Sequence, residues 1–222
     1  MKQITILGAT GSIGISTLDV IDRHSRAYNI FALTGNKKIP LLAEQCAKFN
    51  PKYAVVMDAE AARELVNLLT QNHVSTEVLV GTDALASVSS HEDVDIVMAA
   101  IVGSAGLIPT LAAANAGKKV LLANKESLVM AGNLLMQAVD KSGATLLPID
   151  SEHNAIFQIL DGKLKKDINE IFLTASGGPF HGFSEEQLTK VSPADAVRHP
   201  IWNMGKKISV DSATLMLSLI HI

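Results

Sequence analysis

Residues 8–14 read Gly8-Ala9-Thr10-Gly11-Ser12-Ile13-Gly14. They follow a strand-like run, Gln3–Gly8, and open a helical pattern, Ser12–His24. The spacing is G-x-x-G-x-x-G at a strand-to-helix turn. Glycines let the backbone turn sharply and approach an anion, and the unpaired N–H groups at the helix start bind it. Position strengthens the signal, because the motif lies between a strand and a helix at the start of the chain. The hydroxyls of Thr10 and Ser12 add donors. The pattern therefore points to a dinucleotide pyrophosphate.

Outward from this turn, apolar runs alternate with helical patterns. Strands are predicted at Tyr28–Thr34, Tyr53–Met57, Glu77–Val80, Val94–Ala99, Lys119–Ala123 and Thr145–Pro148. Helices are predicted at Pro40–Phe49, Ala59–Gln71, Thr82–Ser87, Leu107–Ala116 and Lys125–Ser142. Such alternation implies βαβ units, hence an α/β fold with a Rossmann-like, doubly wound, mainly parallel sheet. After Asp150 the pattern changes. A short helical run, Asn154–Leu160, leads through a Lys-rich segment to a strand candidate, Glu170–Thr174. From Ser176-Gly177-Gly178-Pro179 to Gly205 the sequence reads as loop. The expected organisation is a nucleotide-binding domain over 1–150 and the start of an α+β catalytic domain over 151–222, with a flexible lid near 177–205.

Composition narrows the function classes. The chain has 222 residues, 48% hydrophobic and 18% charged, enough apolar residues for a sizeable core. A net charge of -3 gives no basic footprint for nucleic acid or an anionic membrane surface. One cysteine, Cys46, excludes an internal disulfide. With no secretory h-region near Met1, a cytoplasmic location is expected. The uncharged stretch Ile96 to Gly117 contains Gly103, Gly106 and Pro109. It reads as a buried strand, a turn and a helix rather than a membrane span.

Three further segments carry polar groups after strands. A dinucleotide-binding fold selective for NAD places an acid about 20 residues beyond the glycines. Here Gly35-Asn36-Lys37-Lys38 follows the second strand instead, which suits a 2′-phosphate and favours NADPH. Asn124-Lys125-Glu126 opens a helix at the carboxyl end of a strand, where α/β proteins hold ligands. These residues are placed for a nicotinamide or a substrate, or equally as a capped helix start. Asp150-Ser151-Glu152 follows the next strand. In an extended segment its two carboxylates share a side, and a hard cation such as Mg²⁺ or Mn²⁺ relieves their repulsion. The alternative is that Asp150 or Ser151 caps the following helix. Ser176 with its glycines offers donors for a phosphate. His199 and Trp202 are candidates for a water-excluding lid.

The segments GATGSIG, AAIVGSAGL, LLANKESLV, PIDSEHNAIFQ, TASGGPF, RHPIWNMGKKIS and VDSAT run in order from residue 8 to about 214. Together they resemble the 1-deoxy-D-xylulose 5-phosphate reductoisomerase family. The resemblance implies conversion of that sugar phosphate to 2-C-methyl-D-erythritol 4-phosphate, with NADPH and Mg²⁺ or Mn²⁺. It implies a pyrophosphate loop of Thr10, Gly11, Ser12 and Ile13, and a 2′-phosphate loop of Gly35, Asn36, Lys37 and Lys38. Asn124, Glu126 and Gly205 look like further cofactor contacts, and Asp150 and Glu152 like metal ligands. Lys125, Ser151, Glu152, Ser176, His199 and Ser212 look like substrate ligands, with Lys125, Glu152 and His199 catalytic. A homodimer is implied for the full-length enzyme.

The resemblance stops after VDSAT. Family members continue to N-K-G-L-E, whose Asn and Lys bind substrate and whose Glu is a third metal ligand. Leu217, Ser218 and His221 stand at those places. The expectation is an incomplete C-terminus, an apolar tail over 215–222, and a chain that binds NADPH without turnover. The competing enzyme class is a dehydrogenase of the semialdehyde or dihydrodipicolinate type, which gives no reason for DSEHNAIFQ beside LLANKES.

Overall fold

Seven short runs of β-branched and leucine residues form the strands, and each is followed by a segment with helical periodicity. In the computed structural model, which describes residues 1–173 and 177–214, the strands are β1 (Lys2–Leu7), β2 (Tyr28–Thr34), β3 (Tyr53–Val56), β4 (Glu77–Val80), β5 (Ile96–Ala99), β6 (Lys119–Leu122) and β7 (Thr145–Pro148). The helices between them are α1 (Ser12–Arg23), α2 (Ile39–Phe49), α3 (Ala59–Gln71), α4 (Thr82–Ser90), α5 (Leu107–Asn115) and α6 (Glu126–Ser142). The strand order is β4-β3-β2-β1-β5-β6-β7, with every pair parallel. The order reverses between β1 and β5, the switch point at which doubly wound sheets open a crevice beyond the strands' carboxyl ends.

Alternation along β1 explains how both faces are covered. Ile4 and Ile6 enter one core with Leu18 and Ile21 of α1, Leu42 and Cys46 of α2, and Leu65 and Leu69 of α3. Leu7 enters the opposite core with Phe31 and Val97 from the sheet, Leu85 and Val88 of α4, and Ala113 of α5. Thr5 also lies fully buried on that second face, and its hydroxyl donates to the Val88 carbonyl at 2.7 Å, so no hydroxyl is left without a partner there. Each fully buried Leu or Ile contributes about 1.5–3 kcal/mol relative to exposure. The stretch from Ile96 to Gly117 is β5, a 3₁₀ turn (Ser104–Gly106) and α5. Among the described residues no helix is long and apolar enough to cross a membrane.

The chain divides into two compact units, residues 1–159 and 160–222. In the second, α8 (Glu185–Leu188), α9 (Pro193–Ala196) and α10 (Lys206–Ala213) are linked by irregular segments; α7 (Ser151–Leu160) ends at the division. Two expectations are corrected. The segment read as continuous loop before Gly205 contains α8 and α9. Ser184 and Gln187 form a reciprocal capping box on the first, and Ser192 and Asp195 one on the second, where Pro193 opens the helix. The strand expected over Glu170–Thr174 is not formed at Glu170–Leu173, which are exposed and pair with no described strand; Thr174 lies outside the described residues.

Candidate functional site

The glycine loop leaves the carboxyl end of β1 and is tied down from β2 and α2. The amide of Gly8 donates to Thr34 Oγ1 at 2.8 Å, and the amide of Ala9 to the Thr34 carbonyl at 2.8 Å. Gln45 Nε2 donates to the Ala9 carbonyl at 3.0 Å, and Lys38 Nζ to the Thr10 carbonyl at 3.4 Å. Gly11 stands at the N-cap of α1, and no side chain caps that helix. Its first amides therefore have no intrahelical acceptor and point their partial positive charge out of the loop. Gly14 is indispensable to this turn, because a Cβ there would lie 2.6 Å from Ala9 Cα. Thr10 is 8% exposed, whereas Gly11 and Ser12 are open to solvent and Ile13 is half-buried. Gly35 packs against the Thr10 methyl's neighbourhood, while Asn36, Lys37 and Lys38 are exposed. The structure thus gathers the predicted pyrophosphate and 2′-phosphate segments at adjacent strand ends.

Thr34 and Gln45 were not foreseen from spacing. Each acts on the loop through a partner 26 or 36 residues away. The available signal was a polar residue at a position otherwise reserved for apolar ones: Thr34 closes a buried strand, and Gln45 lies on the apolar face of α2 beside Leu42 and Cys46.

The second polar group lies beyond β6 and β7. Lys125, 7% exposed, places its Nζ 2.8 Å from Asp150 Oδ2. Asp150 Oδ1 is 3.5 Å from both the Nδ1 and the amide of His153. The Ser151 hydroxyl donates to Glu152 Oε2 at 2.8 Å. Asn124 is 1% exposed, and its amide is fully engaged. Oδ1 accepts from the amide (2.9 Å) and the hydroxyl of Ser127, and Nδ2 donates to the carbonyls of Ile101 and Gly103 (2.9 Å). Asn124 thus bonds the first turn of α6 and staples it to the turn after β5. Glu126 is half-buried in the first turn of α6.

Helix α7 begins at Ser151, earlier than the sequence pattern implied, so Asp150 and Glu152 do not extend from one face of a strand as expected. Asp150 sits just before the helix, its carbonyl accepting from the Asn154 amide at 2.8 Å, and Glu152 belongs to the first turn. No group of three or more His, Cys, Asp or Glu side chains with metal-holding geometry occurs among the described residues. Two carboxylates and a hydroxyl in three consecutive residues are nevertheless hard oxygen donors of the kind Mg²⁺ and Mn²⁺ take, and such cations commonly use only one or two protein carboxylates. The residues present fit that role.

In the second unit, His199 Nδ1 accepts from the amides of Ile201 (3.2 Å) and Trp202 (3.0 Å). The neutral ring therefore carries its proton on Nε2. The Trp202 indole stacks on it with centroids 4.9 Å apart. Gly205 opens α10, and Ser212, 4% exposed, lies in its last turn. The Gly178 backbone passes so close to Ser212 that a Cβ on Gly178 would meet the Ser212 carbonyl at 2.6 Å. Gly178 is thereby brought to α10, while Gly177 lies against His181. Ser176 itself, and Leu217, Ser218, His221 and the expected apolar tail, lie outside the described residues.

Comparison with known proteins adds an independent line. A family model described as 1-deoxy-D-xylulose 5-phosphate reductoisomerase matches residues 4–132, and one for the C-terminal domain of the same enzyme matches 146–222. Relatives of that name from Cellvibrio japonicus and Pseudomonas savastanoi pv. phaseolicola are 57% and 58% identical over 97% of this chain. The chain spans only 56% of the length of each. A crystal structure of DOX-P reductoisomerase with NADPH, fosmidomycin and magnesium is 46% identical, with a TM-score of 0.92 over 99% of this chain and 57% of that one. The Zymomonas mobilis enzyme in complex with NADPH is 47% identical, with a TM-score of 0.86 over 99% of this chain and 56% of that one.

Proposed function

The chain belongs to the 1-deoxy-D-xylulose 5-phosphate reductoisomerase family, and from that premise we propose that it serves the NADPH-dependent conversion of 1-deoxy-D-xylulose 5-phosphate to 2-C-methyl-D-erythritol 4-phosphate, a step of non-mevalonate isoprenoid biosynthesis. One observation carries the reading. The uncapped glycine loop and the Lys125–Asp150 pair with Glu152 all lie beyond the carboxyl ends of one parallel sheet. The structures of relatives that hold NADPH and magnesium support the same choice of cofactors.

When bound, NADPH supplies the hydride and the divalent cation supplies Lewis acidity toward the substrate oxygens. The chain's own residues do the rest. The first amides of α1, with the Thr10 and Ser12 hydroxyls, take the pyrophosphate beside Gly11 and Ile13. Lys37 and Lys38, presented by Gly35 and Asn36, neutralise the 2′-phosphate. Asp150 and Glu152 hold the metal. Lys125, oriented by Asp150, donates to a substrate oxygen, and Ser151 adds a hydroxyl. Asn124 shapes the cofactor pocket by fixing the turn after β5, and Glu126 adds a cofactor contact. In the second unit, His199 offers its Nε2–H to the substrate, Ser176 and Ser212 are assigned to the phosphate, and Gly205 to the cofactor. Trp202 excludes water. We assign this enzyme to the cytoplasm and to a homodimer acting on a small sugar phosphate, with neither nucleic acid nor membrane as partner.

Calorimetric titration of the chain with NADPH and NADH, with and without Mn²⁺, tests the proposal. Micromolar NADPH binding with NADH at least about tenfold weaker is expected from the lysine loop. Absence of binding by either nucleotide would sink the reading.

A further inference from the structure

We propose that Gln45 is a positioning residue for the nucleotide pyrophosphate, acting through the Ala9–Thr10 peptide; this rests on the nucleotide reading above. Gln45 lies on α2 among Leu42, Ala43 and Cys46, and is 8% exposed. Its Nε2 donates to the Ala9 carbonyl, while Oε1 is buried with no hydrogen-bond partner among the described residues. Burying an amide with its oxygen unsatisfied is unfavourable, and an apolar side chain of the same size would fill the position at less cost. The orientation is fixed nonetheless, because a flipped amide would set Oε1 against the Ala9 carbonyl, two acceptors in contact. The one interaction that justifies the amide is therefore the bond to Ala9.

That bond has a directional consequence. The peptide after Ala9 is trans, since the chain contains no cis bond among the described residues. In a trans peptide the carbonyl and the following N–H point in opposite directions. Holding the Ala9 carbonyl toward α2 therefore aims the Thr10 amide away from α2, out of the loop. The neighbouring constraints do not duplicate this. Thr34 fixes the amides of Gly8 and Ala9, and Lys38 reaches the Thr10 carbonyl at 3.4 Å. Only Gln45 addresses the plane that carries the Thr10 N–H. Without it, that plane is free to rotate and the first donor of the anion cradle loses its direction.

The test compares the wild-type chain with Gln45→Met, which keeps length and bulk but cannot donate. NADPH and adenosine 2′-monophosphate are titrated calorimetrically, and the thermal midpoint is read without nucleotide. Adenosine 2′-monophosphate carries the 2′-phosphate and no pyrophosphate. Gln45→Met is expected to weaken NADPH about tenfold, the worth of one misdirected donor to a charged group. It should leave adenosine 2′-monophosphate within about twofold and the midpoint nearly unchanged, because removal of the buried orphan oxygen offsets the Ala9 carbonyl left without its donor. A merely structural role would move the midpoint and both ligands together, and NADPH affinity unchanged in Gln45→Met would overturn the proposal. If Gln45→Met does not fold, Gln45→Asn, too short to reach Ala9, is measured against the same criteria. A wild-type chain that binds no NADPH removes the nucleotide reading and this inference with it.

Discussion

The Lys125 ammonium and the Asp150 carboxylate meet at 2.8 Å with side-chain exposures of 8% and 11%, although 25 residues separate them. Such a pair is hard to break from one side. Removing the cation leaves a carboxylate held in a low-dielectric site with its main partner gone. Lys125→Met is expected to destabilise the folded chain by about 3 kcal/mol. Adding Asp150→Asn should restore part of that loss, because the uncompensated charge disappears. Urea denaturation of the two single variants and the double variant gives the coupling directly; simple additivity would show that the pair is not coupled.

The glycine loop predicts a sharper effect at Gly14 than at Gly11. A methyl at Gly14 would press on Ala9 Cα at 2.6 Å, whereas at Gly11 the nearest atom, the Gly8 carbonyl oxygen, is 3.3 Å away. Gly14→Ala should cost about 1–3 kcal/mol by overpacking and displace the loop. NADPH binding should fall by more than tenfold, by about 1.4 kcal/mol or more. Gly11→Ala should be milder in both thermal denaturation and nucleotide titration. Equal effects of the two substitutions would argue against this loop geometry.

Selectivity between the two nicotinamide nucleotides should reside in Lys37 and Lys38. Lys37 is exposed, so replacing it leaves the fold intact. Lys37→Ala, which spares the Lys38 bond to the Thr10 carbonyl, should weaken NADPH about tenfold while leaving NADH nearly unchanged. The effect should shrink with added salt, since exposed charges are screened. Parallel loss of both nucleotides would place the 2′-phosphate elsewhere.

Burial pushes the Cys46 thiol up to about 12 from 9.0. The thiolate is the reactive form, so native-state alkylation at neutral pH should be far slower than in urea-unfolded chain. The linkage has a definite sign. The neutral thiol is favoured in the folded state, so its contribution is complete below the unfolded value. It is lost as pH rises from about 9 toward 12, where only the unfolded chain ionises. A Cys46→Ala variant should lack this part of the alkaline destabilisation in pH-dependent melts; an unchanged alkaline slope would contradict the assignment.

Much of the sheet was legible because continuous apolar runs mark strands covered on both faces, as at Tyr28–Thr34 and Ile96–Ala99. The glycine spacing likewise announced the loop, since it encodes a local backbone requirement. Long-range supports left no such trace. Thr34 and Gln45 serve the loop only once β2 and α2 have packed beside it. The early start of α7 was obscured for a different reason. Asp150-Ser151-Glu152 suits both a metal-binding turn and a helix N-terminus, and only the Asp150 contacts with the His153 and Asn154 amides place the helix start there. Asn124 shows the same ambiguity, with its bond to the first turn of α6 realised. The two short helices after Ser184 and Ser192 were written in their capping boxes, a signal outweighed by the surrounding glycines and prolines.

The loop over residues 8–10 takes its shape from Thr34, Lys38 and Gln45, each bonded to it across at least 25 positions of chain. Closing those separations is part of assembling the parallel sheet, a slow, non-local event in folding. The anion cradle therefore has no existence as an autonomous peptide motif: it matures with the sheet. Nucleotide capture by this chain should accordingly be all-or-none, tracking the natively folded population during refolding rather than growing in with early helix, and nucleotide present during refolding should trap the finished state without hastening its nucleation.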